Sequence, residues 1–326
     1  MKGALVGFGR VAQNAHAPAL RESPRFAITA ATDQSPARLK AAQDCFPGIR
    51  TYPTYEALLA AELDLDFVDI ATPPFLHGAQ VLAALRRGCH VLCEKPLTLN
   101  SEEFESIRRQ AAAARRTVFT VHNWAYSPQW HKIFECVKTG ALGRIVDVDL
   151  RVLRTAPAAG VTAGDWRQDI RMAGGGILVD HGWHNLYLIH RLMGDTAHAP
   201  ELKKLHQSRP GVEDEISLSF KFPSGQAELF LTWRACSRSN WALIRGKRAS
   251  LELRDNTVLL SPAEGPARIF TFPEKLSAGS AHPQWFKAML ADFPKDAENN
   301  LAEASFCLRA ISQAYENMAT PVAGRS

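Results

Sequence analysis

The chain has 326 residues, 46% hydrophobic and 22% charged, with 38 Lys and Arg against 33 Asp and Glu, the composition of an ordinary folded protein long enough for two domains. The surplus of positive charge is scattered, so no nucleic-acid partner is expected, although an anionic substrate is compatible with it. No stretch of about 18 uncharged apolar residues occurs, and the apolar run before Arg10 is too short for a secretory core, so a cytoplasmic protein with no membrane partner is expected.

In chain order, the β-prone runs GALVG, FAITAATD, FVDIAT, CHVLCE and TVFTV are separated by helical segments such as SPARLKAAQDCF and HGAQVLAALRRG. Strands alternating with helices predict a parallel, doubly wound α/β domain. Ala79, Leu82 and Leu85 are spaced as the buried face of one of those helices. From about residue 144 the rhythm changes to RIVDVDLRVLR, DEISLSFKF, QAELFLTW and ASLELRDNTVLLS, joined by turn signals at Pro223-Ser224-Gly225 and Asp255-Asn256. These predict hairpins and an open, largely antiparallel sheet in an α+β domain. One helix, within GGGILVDHGWHNLYLIH, precedes that sheet, and another, LAEASFCLRAISQAYENMA, ends the chain. The expected division is residues 1–121 and 122–326. Cys89 and Cys93 read as strand residues about 13 Å apart, too far to bridge, and all six cysteines read as reduced, buried thiols.

Gly7, Gly9 and Ala12 form the pattern G-x-G-x-x-A directly after the first strand. Gly7 is expected to make the tight turn, Gly9 to admit a pyrophosphate to the backbone, and Ala12 to let the helix pack on the sheet. Phe8, Arg10 and Val11 complete this cofactor loop. Asp33, at the end of the second strand, is placed to accept hydrogen bonds from ribose hydroxyls and to repel a 2'-phosphate. NAD is therefore expected in preference to NADP, with Arg38 near enough in sequence for dual use. A turn or capping role before QSPARL competes for the same aspartate.

ATPPFLH and EKPLTLN follow further strand ends, the edge at which open α/β sheets bind ligands. They add Thr72, Pro73, His77, Glu94 and Lys95 to the candidate cofactor residues. Pro96 restricts Lys95 to extended geometry, and the bond between them is a candidate cis peptide. His77 reads either as a residue closing over the cofactor or as an exposed histidine at a helix start.

In order, GFGRVA, ATDQS, ATPPFLHG, CEKPLT, the HN of VHNWAYSP, DWR, AGGGILVDHGWH and AISQAYENM resemble the glucose-fructose oxidoreductase, inositol dehydrogenase and rhizopine catabolism family (Gfo/Idh/MocA) over nearly the whole chain. The resemblance implies a Rossmann domain carrying NAD(P), a second domain with an open sheet, and a sugar or polyol substrate held between them against the nicotinamide. It also implies association through the sheet, giving a homo-oligomer, a dimer or tetramer. Asn123 resembles the family's residue near the nicotinamide, and Trp166 and Arg167 match a pair near cofactor or substrate. Trp124 and Tyr126 read as either core or sugar-stacking aromatics.

Asp180 and His184, four apart on a helix, share a face, while His181 is expected a quarter turn away. The resemblance joins Lys95 to this pair as a catalytic triad. Oxidation of a secondary alcohol needs a proton acceptor, for which His184 is suited. Lys95 is suited to stabilise the developing oxyanion, and Asp180 either orients substrate or tunes His184. Gly174 to Gly176 are expected to let the helix start approach cofactor or substrate. His181 and Trp183 are candidates for setting substrate choice. A satisfied buried polar pair is the bland reading of Asp180 and His184, and no metal is expected because the spacing of Asp180, His181 and His184 matches no zinc signature. The leading expectation is an NAD(P)-dependent dehydrogenase of a sugar, cyclic polyol or sugar derivative. The alternatives are a sugar-processing enzyme with only transient oxidation, and a non-catalytic cofactor-sensing protein.

Overall fold

Alternation of short β-branched runs with helices puts six strands into one sheet: β1 (Lys2–Val6), β2 (Ala27–Thr32), β3 (Arg50–Tyr52), β4 (Phe67–Ile70), β5 (His90–Cys93) and β6 (Val118–Thr120). In this computed structural model, which describes residues 1–157, 169–209, 212–279, 281–295 and 297–319, the order is β3-β2-β1-β4-β5-β6. Every pairing is parallel. This is the doubly wound order, with its switch point between β1 and β4. Leu5, Phe67, Val68, Val91 and Leu92 are wholly buried, as a sheet covered on both faces requires.

Helix Pro74–Arg86 buries His77, Gly78, Val81, Ala84 and Leu85, whereas Ala79 is exposed and Leu82 half-buried. The buried face is thus rotated from the one expected. The small residues decide it: a Cβ on Gly78 would meet the Glu103 side chain, so this face fits closely against helix Ser101–Ala114.

Two compact units are present, one of Met1–Tyr126 with Gly279–Ser305 and one of Ser127–Ala278 with the residues from Phe306 onward. The segment Gly279–Ser305, assigned by the sequence reading to the second domain, instead completes the first unit's core. Phe286, Met289, Leu290 and Phe293 pack with Leu5, Phe26 and Phe67. Arg25 donates to the carbonyls of Leu290, Ala291 and Phe293, and Asn300 closes a hydrogen-bonded pair with the Thr120 backbone. His122 lies 2.8 Å from Glu303.

The second unit holds β7 (Ile145–Leu153), β8 (Glu201–Arg209), β9 (Val212–Phe222), β10 (Gly225–Thr232), β11 (Ser239–Gly246), β12 (Ala249–Arg254), β13 (Thr257–Pro262) and β14 (Arg268–Thr271). Their order is β14-β13-β12-β11-β7-β10-β9-β8. The pairings are antiparallel except β7 with β10. Ile216, Leu218 and Phe220 of β9 and Ala227, Leu229 and Leu231 of β10 are buried, the period-two pattern of a sheet with one covered face. Asp255, at φ +50°, turns β12 into β13. All six cysteines are free, but Cys236 is exposed in the bend after β10 and Cys45 is half-buried. Among the described residues no helix is long and apolar enough to cross a membrane.

Candidate active site

The chain leaves β1 through Gly7, whose φ of +86° is left-handed. A Cβ there would also stand 2.9 Å from Thr72 Cγ2 and 3.0 Å from the Ala71 carbonyl oxygen, so glycine is required twice over. Gly9 is different: apart from its own chain neighbours, no atom of the described residues lies within 4 Å of a Cβ built there. Neither packing nor φ demands glycine at this position, and the space it leaves lies at the start of a helix, where Gln13 N–H donates to the Gly9 carbonyl at 3.0 Å. Such a loop fits the pyrophosphate of a dinucleotide.

Asp33 takes the turn role considered for it. Its Oδ2 accepts the Phe8 amide at 2.8 Å and its Oδ1 accepts the Ser35 amide at 2.9 Å, which makes the turn and ties the glycine loop to the end of β2. Arg38 Nη1 lies 3.7 Å from Oδ2. The Phe8 side chain is in the core, and its amide is committed to Asp33. Arg10 is exposed and Val11 packs against the core.

At the next strand ends, the Thr72 hydroxyl donates to Gln80 at 2.5 Å. His77 is wholly buried, with Nδ1 2.7 Å from the Pro96 carbonyl and Nε2 2.8 Å from the Thr72 carbonyl. Burial holds this ring below its ordinary pKa against the pull of those carbonyls. It therefore ties two loops together from the buried face of its helix. It is neither an exposed helix start nor a ring presented to a cofactor. The Lys95–Pro96 bond is cis and Lys95 is half-buried.

Glu94 is held by His16, a residue the sequence analysis did not single out. His16 Nε2 lies 2.9 Å from Glu94 Oε1, His16 Nδ1 lies 2.9 Å from Asp69 Oδ2, and Glu94 Oε2 accepts the Lys95 amide at 3.1 Å. Burial alone would lower the His16 pKa, but Asp69 and Glu94 outweigh it and raise it from 6.5 to about 10. Burial would raise Glu94, but the hydrogen bond and charge of His16 hold it below its ordinary range.

Asn123 keeps a buried Oδ1 with no partner among the described residues, an acceptor consistent with a cofactor amide. Trp124 is buried, and Tyr126 donates to Asp292 at 2.7 Å while packing on the core. Both therefore follow the packing alternative. Trp166 and Arg167 lie outside the described residues.

In the second unit Gly175 and Gly176 approach protein. A Cβ on Gly176 would lie 2.1 Å from the Glu213 carbonyl oxygen. The wholly buried Glu213 carboxylate accepts the amides of Gly176 at 3.1 Å and Leu178 at 2.8 Å, and the Tyr315 hydroxyl at 3.0 Å. The close approach expected toward a ligand is made here to Glu213. Burial raises the Glu213 pKa against these donors, and burial together with Glu213 pushes Tyr315 up.

Leu178–Gly182 is a π-helical turn that runs into the α-helix Trp183–Met193. A matching π turn, Ala12–His16, follows the other glycine motif. Such turns recur at functional sites. Asp180 Oδ2 stands 3.2 Å from His181 Nδ1 across this turn. His184 is 9% exposed, with Nδ1 3.1 Å from the Tyr187 hydroxyl. Arg154, also missed in the sequence, is buried and bonds Asn240 at 2.8 Å. Burial and then Arg238 lower its pKa to about 10, opposed by Asp255 and Asp180. Lys95 belongs to the first unit, and Asp180 and His184 to the second.

Residues 1–122 match the family model described as oxidoreductase family, NAD-binding Rossmann fold, and residues 130–252 match the Gfo/Idh/MocA C-terminal domain. A trans-1,2-dihydrobenzene-1,2-diol dehydrogenase from Bos taurus is 30% identical over 242 residues, 72% of this chain and 68% of that protein. An oxidoreductase subunit from Amycolatopsis mediterranei is 36% identical over 200 residues, 60% of this chain and 53% of that protein. The chain thus spans about half the length of the second of these relatives. Among solved structures, a levoglucosan dehydrogenase in complex with NADH and levoglucosan superposes with a TM-score of 0.81 at 19% identity, covering 97% of each chain, which shows a shared fold. The sheet order, the glycine loop and the two matched domains together place this chain in the Gfo/Idh/MocA oxidoreductase family.

Proposed function

We propose that the protein is an NAD(P)-dependent dehydrogenase acting on a secondary alcohol of a sugar, cyclic polyol or sugar derivative, with NAD the preferred cofactor. The observation that carries this reading is the loop after β1, where Gly7 is demanded by its own backbone and packing while open space lies beside Gly9, room that supports a cofactor pyrophosphate there. When bound, the nicotinamide supplies the hydride acceptor. Lys95 hydrogen-bonds the reacting oxygen and stabilises its growing negative charge, while His184 takes the hydroxyl proton. Asp180 orients the substrate or sets the state of His184.

The preference for NAD rests on the Asp33 charge, held in place by two backbone amides. The names of relatives that act on an anhydrosugar and on a cyclic diol support ring alcohols as the substrate class. A cytoplasmic homo-oligomer, dimer or tetramer, completes the reading, since an exposed sheet face would need covering.

The test is a screen of purified protein against polyols, aldoses, uronates and sugar phosphates, following nicotinamide absorbance with NAD and with NADP. Stoichiometric reduction, faster with NAD, is expected. Substrate loss with no net change in absorbance would overturn the reading.

A further inference from the structure

We propose that His16 is a positioning residue for Lys95: as a buried cation bridging Asp69 and Glu94, it clamps the glutamate whose other oxygen holds the Lys95 amide. The inference rests on the reading of Lys95 as the cation at the reacting oxygen.

The geometry fixes the protonation of the ring. Nδ1 stands 3.0 and 2.9 Å from the two oxygens of Asp69, and Nε2 stands 2.9 Å from Glu94 Oε1. A neutral imidazole has one N–H, so one of these nitrogens would aim a lone pair at a carboxylate. With both carboxylates ionised, only the doubly protonated ring presents a donor to each. His16 is wholly buried and stacks on Phe286 at 4.0 Å. The π turn Ala12–His16 ends on this residue.

The consequence passes along the backbone. The Glu94 amide donates to the Ile70 carbonyl at 2.8 Å, and the Glu94 carboxylate divides between His16 on one oxygen and the Lys95 amide on the other. Rotation of that carboxylate therefore releases the residue from which the lysine side chain projects. The charged and titratable groups around the clamp are Asp69 on β4, Cys93 on β5, Glu94 and Lys95 after it, and Glu103 on helix Ser101–Ala114. The helix Pro283–Leu290 presents the uncharged Phe286 to the ring. Burial, then Glu94 and Asp69, push the Cys93 thiol well up, which keeps it neutral beside the clamp.

Three variants separate positioning from mere packing. The amide of His16→Asn replaces Nδ1 toward Asp69 but is too short to reach Glu94, His16→Gln extends toward Glu94, and Glu94→Gln removes the charge at the other end. In the full chain, histidine 15N spectra at about pH 8.5, two units above an ordinary histidine, are expected to show one ring with both nitrogens protonated, and that signal is lost in His16→Asn. The rate of Lys95 acetylation by acetic anhydride, read on the peptide by mass spectrometry, is expected to change at least about threefold in His16→Asn and Glu94→Gln alike, and no further in the double variant.

On a substrate found by the screen, kcat is expected to fall about 10- to 100-fold in both, with partial recovery in His16→Gln and with NADH binding within about threefold of the parent. Absence of the doubly protonated ring, or unchanged Lys95 reactivity and kcat in the folded variants, overturns the proposal. If Lys95→Met retains turnover while Lys95 acetylation still shifts in the clamp variants, the function reading fails and the clamp stands.

Discussion

Glu94 in the first unit and Glu213 in the second are buried glutamates that each brace a backbone segment leading to a candidate catalytic residue, and their electrostatics are opposite. Glu94 faces the imidazolium of His16, and its pKa is lowered. Glu213 faces neutral donors, two amides at a helix start and a phenol, and its pKa is raised because burial exceeds what those donors return. A full countercharge holds a carboxylate ionised in the interior, whereas dipoles alone leave it reluctant to ionise. One brace is thus made of charge and the other of backbone fit.

The sharpest way to break the second brace is steric. Gly176→Ala drives a Cβ into the Glu213 carbonyl, and neither backbone can withdraw cheaply. A loss of about 3 kcal/mol or more is expected in urea unfolding, and a loss under about 1 kcal/mol would show that the contact yields. Breaking the first brace with His16→Ala leaves Asp69 and Glu94 without their cation and is expected to cost about 3–5 kcal/mol.

The pH dependence sharpens the contrast. The His16 pKa is raised to about 10 in the fold, so its stabilisation is complete below the unfolded value of about 6.5 and is lost as pH rises through about 10. Glu94, lowered, contributes above its unfolded pKa and loses that contribution as pH falls through its folded value. Glu213, raised, runs the other way and contributes less as pH rises above the ordinary glutamate range. Unfolding curves between about pH 5 and 10 are expected to show the gap between parent and His16→Ala narrowing at the alkaline end. A gap that widens there contradicts the assignment. The smallest effect belongs to Tyr315→Phe, which removes one hydrogen bond to Glu213 and is expected to cost about 1 kcal/mol.

The glycine loop, the two sheets and the cis Lys95–Pro96 bond were legible in the sequence because each depends on local pattern: strand followed by G-x-G-x-x-A, period-two alternation, and a residue before proline. The clamps were not. His16 meets Asp69 and Glu94 across 53 and 78 residues, and Gly176 meets Glu213 across 37. A polar residue in an apolar run, Asp69 within FVDIAT, was the one local signal that a buried partner existed. The π turns escaped because hydrophobic spacing assumes 3.6 residues per turn. The return of Gly279–Ser305 to the first unit escaped because apolar helices do not declare which core they complete. β3, of three residues, and the charged edge strand β8 offered too little alternation to read.

The central claim is that Lys95 acts on the reacting oxygen and is not needed to hold the dinucleotide. The direct measurement is Lys95→Met, assayed side by side for turnover on a substrate from the screen and for NADH binding by fluorescence titration. The account predicts turnover reduced by about a thousandfold or more with NADH affinity within about threefold of the parent. Undiminished turnover, or affinity lost in proportion to turnover, would contradict it.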